Sequence, residues 1–422
     1  MRGLDIAFFV WEYPPRLVGG LGTYAAEITR QYVRMGHDVT VFTMNPGNLK
    51  TREIMGGVEI HRPLLMDITD IIFDMVAEDI RRWGPGLKFF SDILLYNLLS
   101  ASKLINDVVP RELRHFDILS VHDWLSAIAG ITSKKSLKLP MAFHMHSSEQ
   151  GRTLGDGSKT VIELEKKGAA AADVIITVSY AMKDELVSLG YPSNKINVVW
   201  NGVDPRKYDP DKVRLEEIEK IRRRYGISEN EKMILFIGRL ASVKGVDKLI
   251  LAMPHVLDKH PESKLVVVGT GELQDYLVRL SGHLRLKDKV KFRFEFISEP
   301  ERIVHYAAAD VVVFPSLYEP FGIVALEAMA MKKPVVVGAR GVSGFRESVI
   351  PYGPNQTGYH INPYDPADIA WGINNVLDNP DRARKMGENG RRRVLKEFTW
   401  DKVAEKTLKI YEAAIAGFGG KG

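Results

Sequence analysis

The chain has no cysteine, which removes disulfides, thiolate nucleophiles and cysteine-type zinc sites together. That absence fits a cytoplasmic setting. It also lacks a long uninterrupted apolar run. The most apolar stretch, Leu87 to Val109, carries Lys88, Asp92, Lys103 and Asp107, so it reads as a buried or interface helix and no membrane span is expected. Leu4 to Val10 is too short for a secretory leader and is followed at once by Glu12, Pro14 and Pro15, the wrong flank for one. Charge of one sign is not in excess either: 58 Lys and Arg stand against 53 Asp and Glu, for a net charge of +5. The basic residues are spread among acids, so no nucleic-acid partner is expected, although a mildly basic chain suits a phosphorylated small substrate. No internal repeat or low-complexity tract is present.

At 422 residues the chain exceeds the length at which one core keeps growing, so two domains are expected. Apolar runs alternate with amphipathic segments from end to end, the pattern of βαβ units and parallel sheets. In the first half Leu4 to Val10, Asp38 to Phe42, Asp117 to Val121, Met141 to His144, Val174 to Val178 and Lys195 to Trp200 read as strands. The pattern restarts after Asn201. Met233 to Gly238, Lys264 to Val268, Val290 to Phe296, Asp310 to Phe314 and Pro334 to Gly338 form a second set. The expected class is α/β, with two Rossmann-like doubly wound parallel sheets, residues 1–203 and 204–399, and a cleft between them. Asn201 to Asp211 has the Gly and Pro content of a hinge, and Arg214 to Arg224 that of a solvated helix. A final helical stripe runs over about 400–416 (Trp400, Val403, Leu408, Tyr411, Ala414), and Gly417 to Gly422 is expected to fray.

The densest chemistry lies in Pro315-Ser-Leu-Tyr-Glu-Pro-Phe-Gly-Ile-Val-Ala-Leu-Glu327. A buried strand ends at Pro315, a turn carries Pro320 and Gly322, and a helix is expected from near Phe321. Its first amides point at whatever lies beyond them, which favours a phosphate. Glu319 and Glu327 are then separated by roughly 10 Å of helical rise, enough to grip two ends of one extended ligand. Arg239 and Lys244 follow another strand in Gly238-Arg-Leu-Ala-Ser-Val-Lys-Gly245. Fixed cations there suit an anionic leaving group, which they stabilise more in the transition state than in the ground state, and loss of either is then expected to cost several kcal/mol. Gly269-Thr-Gly271-Glu272 is a partial glycine loop expected near the nucleotide.

Glu319 and Glu327, with Pro320, Phe321, Gly322 and Leu326, resemble the E-x7-E signature of retaining glycosyltransferases of the two-domain GT-B fold. The likeness is to family 4, which includes glycogen synthase-like enzymes. It continues through the Arg239 and Lys244 pair and through Asn201-Gly-Val-Asp204, so it covers nearly the whole chain. The resemblance implies that Glu319 binds the donor sugar and Glu327 the ribose. Arg239 and Lys244 then act catalytically on the diphosphate, with Phe321, Gly322, Ile323, Ser343, Gly344 and Gly271 lining the donor site. It also implies a last helix that crosses back onto the first domain.

In the first half, Gly19 and Gly20 of Gly-Gly-Leu-Gly22 open a helix at Thr23 to Val33 and are expected to approach the donor. The loop resembles that of glycogen synthases, except that Leu17 stands where they commonly carry Lys. Eight residues separate Val10 from Gly19, and strand two ends Phe42-Thr-Met-Asn without an acid, which argues against a nicotinamide site. His144 and His146 share one strand face. Two imidazoles without a third comparable ligand leave the metal reading unsupported; by resemblance His146 lies near the transferred sugar, and a core histidine is the alternative. His122-Asp123-Trp124 is similar to a turn of the glycogen synthase group. Asp123 could meet acceptor hydroxyls and Trp124 a sugar face, the alternative being an N-cap and a core tryptophan. Glu149 and Arg152 complete the acceptor set.

The expected activity is metal-independent, retaining transfer of glucose from ADP- or UDP-glucose to an α-glucan, with no cofactor beyond the nucleotide sugar and no Asp-x-Asp metal motif expected in the chain. A disaccharide or disaccharide-phosphate synthase of the trehalose, sucrose phosphate or maltose 1-phosphate type is the nearest alternative. A dehydrogenase and a hinge-closing sugar-binding protein are remoter ones.

Overall fold

The computed structural model of the chain describes residues 3–17 and 19–419. It divides into two compact units. One holds the chain up to Val178, Met182–Trp200 and the helix from Trp400; the other holds Ser179–Ala181 and Asn201–Thr399.

The first unit has eight strands: β1 Asp5–Phe9, β2 Asp38–Phe42, β3 Arg52–Met55, β4 Val58–His61, β5 Ile118–His122, β6 Met141–Met145, β7 Val174–Thr177 and β8 Ile196–Val198. Their order is β3-β4-β2-β1-β5-β6-β7-β8. Every pairing is parallel except β3 with β4. Ile6 to Phe9 of β1 and Met141 to Phe143 of β6 are wholly buried, because a parallel sheet carries helices on both faces and its central strands meet no solvent. Strand order turns back between β1 and β5, so their carboxyl ends flank a topological switch point. The β3–β4 hairpin adds two strands to the six expected. It turns at Gly56 and Gly57, both at positive φ, and Ile54 and Met55 on its edge are exposed.

Helix Gly20–Arg34 begins three residues earlier than expected, since Gly22 sits where a Cβ would lie 2.8 Å from the Leu17 side chain and lets the first turn close over it. The last helix, Trp400–Gly419, packs on Gly20–Arg34, with the Tyr32 and Tyr411 rings 6.1 Å apart. Gly417 to Gly419 remain helical, contrary to the expected fraying from Gly417; residues 420–422 lie outside the described residues.

The second unit has six strands, β9 Lys232–Ile237, β10 Ser263–Val268, β11 Val290–Arg293, β12 Val311–Phe314, β13 Val335–Gly338 and β14 Gly358–Ile361. Their order is β11-β10-β9-β12-β13-β14, all parallel. Val311 to Phe314 is buried on both faces, and each such side chain contributes about 1.5–3 kcal/mol of hydrophobic stabilisation. The switch point lies between β9 and β12. β11 stops at Arg293, three residues short of the expected end, and Phe296 is exposed. Arg293 is held there by ion pairs to Glu295 and Glu301. β14 was not expected from the sequence. Among the described residues no helix is long and apolar enough to cross a membrane.

Candidate functional site

In the second unit the loops after β9, β12 and β13 interlock. The turn Ser242–Lys244 follows β9, and its Val243 carbonyl accepts from the Leu317 amide at 2.8 Å. Beneath it Ala241, Val243 and Tyr318 form a small apolar cluster with Val342. Glu319 is clamped along its backbone, its amide donating to the Val342 carbonyl at 3.0 Å and its carbonyl accepting from the Gly344 amide at 2.8 Å. Gly344 is needed for that approach, because a Cβ would lie 2.5 Å from the Pro320 carbonyl oxygen.

The loops thereby bring Lys244 and Glu319, 75 positions apart, into an ion pair of 2.6 Å, and Ser316 Oγ donates to the same Glu319 oxygen at 3.1 Å. The lysine side chain stays a quarter exposed and the glutamate a tenth. Ser343 packs beside them and donates through Oγ to the Gly338 carbonyl at 2.7 Å. Arg239 lies exposed at the end of β9 with no ion pair among the described residues. Gly271, on the next loop, lies against Leu240: a Cβ there would be 2.4 Å from the Leu240 carbonyl oxygen. The helix Ile323–Ala330 starts two residues later than expected, behind Gly322 at φ 89, and no side chain caps it. A non-glycine residue at 322 would be strained and would strike the Phe345 ring. Phe321 itself is buried against Phe398.

Glu327 is 3% exposed and thoroughly engaged. Tyr208 and Tyr306 each donate a hydroxyl to it at 2.9 Å, one per oxygen, and Arg302 Nη2 lies 3.2 Å away. Arg302 also donates to the Tyr208 hydroxyl at 2.7 Å. Burial raises the pKa of both tyrosines, and the neighbouring carboxylate raises it further. Burial alone would lower that of Arg302, but Glu327, Tyr208 and Tyr306 together outweigh it and the net direction is up. These three residues were not anticipated, since they come from the junction segment and a helix far from Glu327 in sequence. Contrary to the expectation that no Asp-x-Asp motif occurs, Asp209-Pro-Asp211 has that spacing, with Asp209 paired to Arg391 at 3.1 Å and Asp211 to Lys332 at 3.2 Å.

In the first unit the residues singled out also converge at strand ends. Asp123 follows β5 at φ 54, ψ 176, a conformation costing about 1–3 kcal/mol and persisting only where its surroundings enforce it. Here its amide donates to the His144 carbonyl at 2.8 Å and its Oδ1 accepts from the His146 amide at 2.7 Å. Burial raises its pKa against the pull of His146 and Arg152. Arg152 donates to Glu149 at 2.8 Å and Ser147 at 3.0 Å and reaches Glu165 at 3.4 Å. Glu165, 2% exposed, was not anticipated. Burial pushes its pKa up to about 8, with Arg152 pulling against it and Asp123 adding to it.

Trp124 offers no ring face to a sugar, contrary to expectation. It is 4% exposed, stacked on Phe90 at 6.4 Å and capped by the Arg152 guanidinium at 6.0 Å. Gly19 precedes its helix without a side-chain cap and donates its amide to Glu12 at 3.1 Å, and Gly20 is exposed at the first turn.

His146 is half-buried, and the structure supplies the third imidazole that had seemed missing: His122, His144 and His146 have ring nitrogens within 4.8 Å of one another. The rings nonetheless stack, His122 on His144 at 4.3 Å with 26° between planes. Lone pairs lie in the ring plane, so stacked rings do not aim at one common ion in this arrangement. Burial lowers the pKa of all three, leaving them neutral near pH 7.

Two family models match in succession, Glycosyltransferase Family 4 over residues 18–207 and Glycosyl transferases group 1 over residues 217–393. An uncharacterised glycosyltransferase of Methanocaldococcus jannaschii is 35% identical over 99% of this chain and 100% of its own length. A glycogen synthase of Mycobacterium tuberculosis is 31% identical over 98% of this chain and 96% of its own. Among solved structures, sucrose-phosphate synthase from Thermosynechococcus elongatus superposes with a TM-score of 0.76 at 24% identity, covering 98% of this chain and all of that one. The two parallel-sheet units thus have the GT-B architecture.

Proposed function

Because this chain belongs to the group 1, family 4 glycosyltransferases, we propose that it moves glucose from ADP- or UDP-glucose to an α-glucan with retention of anomeric configuration. The observation that carries this reading is the Lys244–Glu319 pair of 2.6 Å, set at the switch point of the second sheet beside an uncapped helix start. A half-open carboxylate held by a cation grips sugar hydroxyls. The cation and helix amides meet the diphosphate.

Arg239, exposed at the start of the same loop after β9, adds a second positive charge. Glu327 takes the ribose, oriented by Tyr208, Tyr306 and Arg302. His146 meets a hydroxyl of the transferred sugar. In the reaction the bond from the anomeric carbon to the diphosphate oxygen breaks. An acceptor oxygen bonds to the same face of that carbon, and its proton passes to the departing phosphate. Lys244 and Arg239 stabilise the charge that accumulates, so no divalent ion is required.

The resemblance to a glycogen synthase favours a polymer acceptor. The test is a matrix of ADP-, UDP- and GDP-glucose against glycogen, maltose, glucose 1-phosphate and glucose 6-phosphate, with the product anomer read by NMR. An α-linked product on glycogen is expected. A β-linked product, or transfer only to a sugar phosphate, contradicts this assignment.

A further inference from the structure

His146 ends a buried line of hydrogen-bonding groups that the transfer reaction, as described above, does not use. His146 Nε2 lies 3.1 Å from His122 Nδ1, and His122 Nε2 lies 2.9 Å from Ser120 Oγ. Ser120 Oγ lies 2.6 Å from the Tyr411 hydroxyl, which lies 2.7 Å from His144 Nε2. At the far end the Tyr24 hydroxyl is 3.5 Å from His144 Nδ1. Ser120, His122 and Tyr411 are completely buried, and His144 is 2% exposed. Tyr411 comes from the last helix, 291 positions from Ser120 in sequence.

Each interior group of this line carries one proton, because the three imidazoles are buried and neutral. Four consecutive bonds among such groups have only two self-consistent orders. In one, His146 Nε2 donates to His122 Nδ1, His122 Nε2 donates to Ser120, Ser120 to Tyr411, and Tyr411 to His144. The outer nitrogen of His146, Nδ1, is then an acceptor. In the other every bond reverses, and Nδ1 carries the proton and donates. Mixed orders leave a buried group without a partner, at about 1–3 kcal/mol each.

We propose that Tyr411 and Ser120 are positioning residues for glycosyl transfer: through this ordered line they fix the ring tautomer of His146, and hence whether its outer nitrogen accepts from or donates to a sugar hydroxyl. The proposal rests on the reading that His146 touches the transferred sugar. It gives the last helix a role in the chemistry beyond packing.

The test uses the full chain with 15N-labelled histidine, reading the His146 tautomer from two-bond ring correlations in the wild type, Tyr411→Phe and Ser120→Ala. A single tautomer is expected in the wild type, and a mixed or switched one in each variant. kcat falls by about tenfold in each, the size of one hydrogen bond, with donor KM little changed. The double variant is no worse than the poorer single one, since both cut one line. Should Tyr411→Phe not fold, Ser120→Ala carries the same readouts. An unchanged His146 tautomer in the folded variants overturns the proposal, as does a shifted tautomer with unaltered kcat. His146→Ala separates the two layers: its loss of transfer beside an unchanged tautomer fails the line alone, whereas full activity in His146→Ala fails the reading beneath it.

Discussion

Each unit gathers carboxylates and a cation at the carboxyl ends of its strands, and the two gatherings differ in how completely the chain satisfies them. In the first unit Arg152 spans Glu149 and Glu165, its guanidinium roofs Trp124, and Glu149 also accepts from the Ser158 amide at 3.0 Å. Both acids are buried. In the second unit Glu319 meets one lysine and one serine, both partners at the same oxygen. Arg239 stands exposed nearby in sequence. The lesson is that charge alone does not mark a binding site. The set around Arg152, answered within the chain, shapes a loop, while the half-answered set at Glu319 leaves interactions for a ligand.

That contrast can be broken experimentally. Glu319→Ala and Lys244→Ala are expected to lower kcat/KM by about 10²–10³-fold, as loss of a preorganised electrostatic partner does, while far-UV circular dichroism and cooperative melting stay near wild type. In the first unit the order inverts: Arg152→Ala leaves the buried Glu149 without its cation and is expected to lose about 3 kcal/mol in urea unfolding. An Arg152→Ala protein as stable as wild type removes the distinction between the two sets.

Glu165 sharpens it further. Its pKa is raised from 4.5 to about 8, so the folded chain holds a proton that the unfolded chain releases. Its contribution to stability is complete below about pH 4.5 and is lost as pH rises through about 8. The wild-type melting temperature should therefore fall across that window more steeply than that of Glu165→Gln, measured by scanning calorimetry. The smallest expected effect is none: a chelator should leave transfer unchanged, and strict metal dependence measured in the same assay contradicts the roles given to Lys244 and Arg239.

The same physical divide governs what could be read from the chain in advance. The central strands were legible because runs such as Val311 to Phe314 carry no polar interruption. β3, β4 and β14 were not, because four-residue segments of mixed polarity such as Arg52–Met55 and Gly358–Ile361 become strands only through their neighbours. The positions of Lys244 and Glu319 were marked by motif, yet their contact arises from backbone bonds between separate loops. Trp124 misled because the aromatic residues that enclose it, Trp83 in a turn and Phe90 in a helix, lie about 41 and 34 positions upstream. Arg302, Tyr208 and Tyr306 carried no local sign of their convergence on Glu327.

The central claim is that the Lys244–Glu319 arrangement serves a nucleoside diphosphate sugar, and calorimetric titration of ADP and UDP into wild type and Lys244→Ala addresses it most directly. One of the two nucleotides should bind the wild type and lose about 100-fold in affinity in the variant, equivalent to about 2.7 kcal/mol. Equal affinity in a folded Lys244→Ala protein would contradict it.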